Sequence, residues 1–151
     1  RDSLMLPMRI EADEIEAAMR DWAHEIITET YEAPLMALAP VVFNDFDEHF
    51  QKGQGPDGPW APRTRQYPHP ILIKTGALMY AAGTQDGRGN INRWSAGWAE
   101  FGVDGNVVNY AGFHEYGTSR MPARPWCWLS SNAEDEAAKL FLDAVYALFA
   151  G

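Results

Sequence analysis

The stretch Tyr110–Trp128, YAGFHEYGTSRMPARPWCW, combines turn residues, aromatic side chains and charged groups in nineteen positions. Pro122 and Pro125 fix their own φ angles and bias the residues before them, Met121 and Arg124, away from the helical region. Aromatic residues are too frequent here for a solvated loop. The sequence therefore predicts an ordered, extended arm that packs against the chain's own sheet, a sister subunit or a ligand.

The length of the chain, 151 residues and 16.9 kDa, is that of one domain, which buries about two thirds of its unfolded surface. The single cysteine, Cys127, excludes an intrachain disulfide framework. Its place between Trp126 and Trp128 favours a small buried hydrophobe over a catalytic thiol. Without a long apolar run or a signal-peptide pattern at its start, the sequence predicts a soluble protein made in a reducing compartment.

The net charge of -9 is distributed unevenly along the chain. Residues 1–52 hold twelve acids and four bases, residues 53–128 five acids and seven bases, and residues 129–151 four acids and one base. Such an acidic chain is a poor candidate for broad, non-specific nucleic-acid binding, which needs a net positive surface. An acidic helical layer and a basic loop-rich layer can pair between copies of the chain, although solvated helix faces are the simpler interpretation.

Apolar residues at spacings of three and four predict an amphipathic helix over Ala12–Tyr31 and a second from Leu35 to about Phe50. Pro40 lies inside the second pattern, so a break is expected between Ala33 and Pro40. The last helix is predicted over residues 131–150. Ser130, Ser131 or Asn132 is expected to cap it, with Ser131 and Glu134 at the spacing of a capping box.

Five prolines and three glycines make Gly53–Pro70 an extended loop without a regular ladder, and its length and aromatic residues suggest that it is ordered by docking. Ile71–Ala82 is predicted to end as a short helix capped by Thr75. The pair Asp104-Gly105 predicts a hairpin turn between strands at Arg93–Val103 and Asn106–Phe113.

A third strand is expected near Ala82–Gln85. The fold class that follows is α+β, with N-terminal helices, a long Pro-rich loop, a small antiparallel sheet and a C-terminal helix. The whole chain, 1–151, is predicted to be one domain with a helical part at 11–52, a loop at 53–70, the sheet and short helix at 71–128, and the final helix at 131–150.

Two arrangements of side chains suggest chemistry. His114 beside Glu115 can serve a small hydrolase as a base and its orienting group, but adjacent residues on a strand point to opposite faces. The second arrangement is a set of arginines interleaved with aromatic residues. It can stack on single-stranded nucleic acid or bind carboxylates of a neighbouring subunit. The net charge favours the subunit contact. This arrangement combines four arginines with four aromatic residues: Arg63, Arg65, Arg120, Arg124, Trp60, Tyr67, Tyr116 and Trp126.

The order of motifs resembles that of the phage virion morphogenesis, or tail completion, family. PDGPWAP is followed by Thr64, an Ile-Leu pair with Thr-Gly-x-Leu, Tyr-Ala with His-x-x-Gly, and finally Pro-Ala-Arg-Pro, over about residues 40–150. The family positions, which the resemblance marks as motif or subunit-interface residues, are Pro56, Asp57, Gly58, Trp60, Thr64, Thr75, Gly76, Leu78, Tyr110, Ala111, His114, Gly117, Pro122, Arg124 and Pro125.

This resemblance implies a structural protein at the head–tail junction of a tailed phage, assembled in the cytoplasm of the bacterial host and retained in the neck or tail of the virion. It implies a ring of identical subunits, with six as the expected number, and no enzymatic activity or cofactor. The expected partners are neck and tail proteins such as an adaptor, a stopper or the tail tube. DNA would pass through the lumen without specific binding, and no membrane is involved.

Overall fold

The computed structural model describes residues 32–95 and 98–150, so the predicted helix Ala12–Tyr31 lies outside the described residues. Five helices and two pairs of antiparallel strands follow in that part of the chain, which confirms the α+β class. The elements are α1 (Glu32–Ala37), α2 (Ala39–Lys52), β1 (Gln54–Gly55), β2 (Gly58–Pro59), α3 (Ala77–Gly83), β3 (Asn90–Ser95), β4 (Trp98–Val103), α4 (Ala111–Tyr116) and α5 (Ser131–Ala150).

The predicted break between Ala33 and Pro40 falls at Leu38, between α1 and α2. Pro40 lies in the first turn of α2, where its missing N–H removes no helical hydrogen bond. Pro34 lies in the first turn of α1, where its missing N–H likewise removes no helical hydrogen bond. Gly53 ends α2 with φ 62°, and its N–H donates to the carbonyl of His49.

The hydrophobic core is built on one face of α2. Phe43 contacts Phe101 of β4 edge to face, with ring centroids 5.5 Å apart. Phe50 meets Trp60 in the same geometry at 5.6 Å. These contacts place α2 at the centre of the fold, surrounded by buried side chains from four other parts of the chain: Trp60, Leu78, Ala81, Ala82, Val108, Ala111 and Trp126.

The Pro-rich loop has more regular structure than its composition predicts. Gln54 pairs with Pro59 and Gly55 with Gly58 in a two-residue ladder, so the expectation of no ladder was wrong. Gly58 has φ 136°, a backbone conformation that only glycine adopts without strain, and this permits the tight reversal. Docking of the loop is observed at Trp60, whose Nε1 donates to the carbonyl of Pro125 at 2.7 Å.

The main hairpin is displaced from its predicted position. β3 pairs with β4 from Asn90↔Val103 to Ser95↔Trp98, so the chain reverses inside Arg93–Val103, which was expected to be one strand. The pair Asp104-Gly105 makes an Asx turn instead, in which the Asn106 N–H donates to Asp104 Oδ1 at 2.8 Å. This turn leads towards α4.

Two predicted strands are absent from the described residues. The one near Ala82–Gln85 is replaced by the end of α3 and a turn, and the one at Asn106–Phe113 by turns and the start of α4. Ala81 and Ala82 are fully buried against the core. Small side chains of this kind allow close helix packing, and that tertiary contact outweighs the weak strand pattern.

The predicted arm is helical in its first third. Ala111–Tyr116 forms α4, and only the part after Gly117 is extended, so the prediction of a wholly extended arm was wrong. The arm then leads into α5, whose first turn is capped by Ser130 rather than Ser131. Ser130 Oγ accepts from the Ala133 N–H at 3.2 Å.

Asp45, buried on α2, fixes the start of α5. Its two carboxylate oxygens accept from the Ser130 N–H at 2.8 Å and the Ser130 hydroxyl at 2.6 Å. His49, one turn later, stacks on Trp128 with ring centroids 3.8 Å apart. His49 is buried and links α2 to the arm.

Candidate anion-binding cleft

A cleft of about 470 Å³ opens between the Pro-rich loop, the turn before α3 and α4. Five of its lining side chains are basic or imidazole groups, and none of the lining residues in the described part of the chain is acidic. The residues that line it are Arg63, Tyr67, His69, Ile71, Leu72, Lys74, Thr75, Tyr110, His114 and Arg124.

Arg63 is held at the mouth of the cleft by its own loop. Its Nη2 donates to the carbonyl of His69 at 2.6 Å, and its guanidinium carbon lies 5.3 Å from the centroid of the Tyr67 ring. The prolines at 68 and 70 stiffen the backbone around His69. The Pro-rich sequence therefore holds a positively charged group in place without a carboxylate.

Arg124 joins the loop to the arm. The residue is only 7% exposed, and its Nε and Nη2 donate to the carbonyls of Ala61 and Pro62 at 2.8 and 3.2 Å. Among the described residues no carboxylate lies within ion-pair distance of Arg124. Burial, followed by the positive charge of Arg63, lowers the pKa of Arg124.

His114 approaches the cleft from α4. Its ring lies edge to face with Tyr110, with centroids 5.7 Å apart, and its buried Nδ1 has no hydrogen-bond partner in the part of the chain that the structure describes. Burial and then the charge of Arg124 lower the pKa of His114. The backbone connects the two residues, because the Arg124 N–H donates to the His114 carbonyl at 2.7 Å.

Glu115 is used elsewhere. Its Oε1 accepts from the N–H groups of Trp126 and Cys127 at 3.0 and 2.8 Å, which fixes the arm against α4. His114 lines the cleft, whereas Glu115 binds the arm backbone. Glu115 is therefore not placed to orient His114, as a hydrolase that used His114 as its base would require.

Cys127 is exposed, contrary to the expectation of a small buried hydrophobe. In the extended arm Trp126 points into the core, so its neighbour faces away from the core. Although the residue is exposed, partial burial of the sulfur and then the Glu115 carboxylate raise the pKa of the Cys127 thiol to about 11.

This raised pKa predicts slow alkylation of Cys127. Because the thiolate is the reactive form, we expect iodoacetamide at pH 7.5 to modify the native chain about ten- to a hundredfold more slowly than the chain unfolded in guanidinium. Mass spectrometry of quenched time points measures both rates on the same single thiol. Equal rates in the native and unfolded chain would contradict the assigned environment.

The family positions fall into three spatial groups. Four of them, Thr75, Tyr110, His114 and Arg124, line the cleft. Others are buried in the core or dock against it: Trp60, Leu78, Ala111 and Pro125, whose carbonyl binds Trp60. The remainder lie in turns or on the surface: Pro56, Asp57, Gly58, Thr64, Gly76, Gly117 and Pro122.

Sequence analysis missed two members of the cleft. These are His69 and Lys74, neither of which belongs to a recognisable motif. Their position depends on the path of the loop, including Leu72 at φ 65°, a backbone angle that is uncommon outside glycine. The one available signal was the absence of any acid between residues 58 and 85, a span that holds Arg63, Arg65 and Lys74.

Among the residues that the structure describes, no helix is long and apolar enough to cross a membrane. Comparison of the chain with known proteins gives no match to a family model, a curated protein or a solved structure.

Proposed function

We propose that this chain is a structural protein of a tailed-phage virion that acts at the head–tail junction. It would complete the tail and join it to the head as a ring of identical subunits, with neighbouring neck and tail proteins as its other partners. The observation that carries the proposal is the ordered series of motifs from PDGPWAP to PARP. No catalytic step is part of this role.

The contacts between those motifs support the proposal. Trp60 of the first motif binds the carbonyl of Pro125 in the last, and Arg124 of the last binds the carbonyls of Ala61 and Pro62 in the first. These hydrogen bonds hold together two segments that lie far apart in the sequence. A pre-organised surface loses little conformational entropy when it docks, as a subunit contact requires.

Exposed aromatic side chains give the second line of support. On α4, Phe113 is 56% exposed and Tyr116 is 83% exposed, and Trp98 of β4 is half exposed. Large aromatic residues are enriched at protein interfaces and are uncommon on free surfaces. A ring requires two different patches on each subunit, and α4 together with the adjoining cleft supplies one candidate.

The direct test is deletion of the gene from the phage that carries it. We expect DNA-filled heads and separate tails in electron micrographs of the lysate, and restored particles when the wild-type chain is supplied in trans. Labelled chain should then be found at the neck of the restored virions. Normal particles without the chain, or label away from the neck and tail, would refute the proposal.

A nucleic-acid binder is the second candidate, because the cleft combines Arg63 and Arg124 with the rings of Tyr67 and Tyr110. It requires binding of single-stranded oligonucleotides that weakens steeply as salt rises. Fluorescence anisotropy between 20 and 200 mM salt measures this dependence. Hydrolase activity from His114 and Glu115 is less favoured, because the Glu115 carboxylate is bound to the arm.

A further inference from the structure

The positive charge in the cleft is not balanced by the groups around it. Arg124 is nine-tenths buried and makes its hydrogen bonds to neutral carbonyls, and Arg63 also binds a carbonyl. His114 adds a buried ring nitrogen that has no hydrogen-bond partner among the described residues. Buried charges are normally paired, because leaving them unpaired costs free energy. The side chains that meet here supply donors and positive charge in excess of acceptors.

From this geometry we infer that the cleft between Arg63, His114 and Arg124 is a binding site for a carboxylate, supplied by an acidic side chain of a second copy of this chain. The inference rests on the proposed ring and names the contact through which adjacent subunits meet. The planar guanidinium groups suit a carboxylate, which can accept two parallel N–H bonds. Lys74, an exposed lining residue, adds a further positive charge.

The charge distribution of the chain favours a second copy as the occupant. The middle of the sequence is basic, whereas the residues before and after it are acidic. At the start of α5, Glu134, Asp135 and Glu136 are all exposed and make no ion pair within the described residues. A contact between a basic cleft on one subunit and an acidic surface on the next joins two different patches, as a closed ring needs.

Zero-length cross-linking tests which carboxylate occupies the cleft. A carbodiimide joins an amine directly to a carboxylate in contact with it, and Lys74 provides an exposed amine at the rim. Full-length chain labelled with ¹⁵N is mixed with unlabelled chain and cross-linked, and the peptides are analysed by mass spectrometry. We expect mixed-isotope peptides that join Lys74 to an Asp or Glu, and at least a tenfold lower yield in Arg63→Gln.

Self-association gives a second measurement that does not depend on Arg63. Lys74→Glu and Arg65→Glu make the same charge change at two exposed positions, but only Lys74 lines the cleft. Sedimentation velocity over a concentration series should show at least tenfold weaker association for Lys74→Glu, since a charged hydrogen-bonded contact contributes about this much. Arg65→Glu should change association less than about threefold.

The outcomes separate this inference from the proposed function. Cross-links found only within one copy, or equal association in the two charge variants, would overturn the carboxylate contact and leave a neck protein that assembles through another surface. The contact would also be overturned if an added oligonucleotide lowered the yield of Lys74 cross-links while an excess of unlabelled chain did not change it. If Lys74 cross-links form between copies but the chain binds neither heads nor tails, the carboxylate contact is supported and the neck role is refuted.

Discussion

Replacing Trp126 by alanine is expected to lower the free energy of unfolding by about 4 kcal/mol. The side chain is 4% exposed, and its ring meets Phe46 edge to face with centroids 5.9 Å apart. Its Nε1 also donates to the carbonyl of Ala111 at 3.2 Å. Alanine would leave a cavity between α2 and the arm and remove one of the hydrogen bonds that hold α4 to the arm.

Urea unfolding followed by circular dichroism at 222 nm measures this change without depending on tryptophan fluorescence. Trp98→Ala is the matched control, because Trp98 is half exposed on β4. We expect the control to lose less than about 1 kcal/mol. A loss below about 1.5 kcal/mol for Trp126→Ala would mean that the arm does not close the core as the structure indicates.

The sequence predicts α2 and α5 well, because their periodic apolar residues and the prolines and serines at their starts act locally. Pro40 marks the start of α2, and the serines after Trp128 mark the start of α5. The strands were misplaced because the Asp104-Gly105 pair fits both a hairpin and an Asx turn. Burial of Val108 in the core decides between them, and that is a contact with distant parts of the chain.

The cleft was predictable only in part, for the same reason. Arg63 and Arg124 stand out in the sequence as arginines among aromatic residues and prolines. Their distance along the chain hides the fact that Arg124 crosses to the loop that carries Arg63. The sequence analysis treated both as groups that contact nucleic acid or a neighbouring subunit, whereas Arg124 is buried among residues of its own chain and also lines the cleft.

Gly117→Ala is expected to lower the free energy of unfolding by about 3 kcal/mol or more. Gly117 ends α4 with φ 75° and ψ 176°, a backbone conformation that is essentially restricted to glycine. A Cβ there would lie 2.7 Å from the Ala123 backbone nitrogen and 3.1 Å from the Met121 carbonyl oxygen. Both obstacles are backbone atoms of the arm, so relief requires the arm to move away from α4.

Gly112→Ala is a control of opposite sign from the same helix. Gly112 lies inside α4, is exposed, and an added Cβ there would meet nothing within 4 Å. Alanine should therefore stabilise the chain by up to about 1 kcal/mol through helix propensity. Urea unfolding of both variants against wild type measures the two effects. If Gly117→Ala unfolds at the wild-type midpoint, the arm does not pack against the end of α4, and the position of Arg124 beside His114 loses its structural basis.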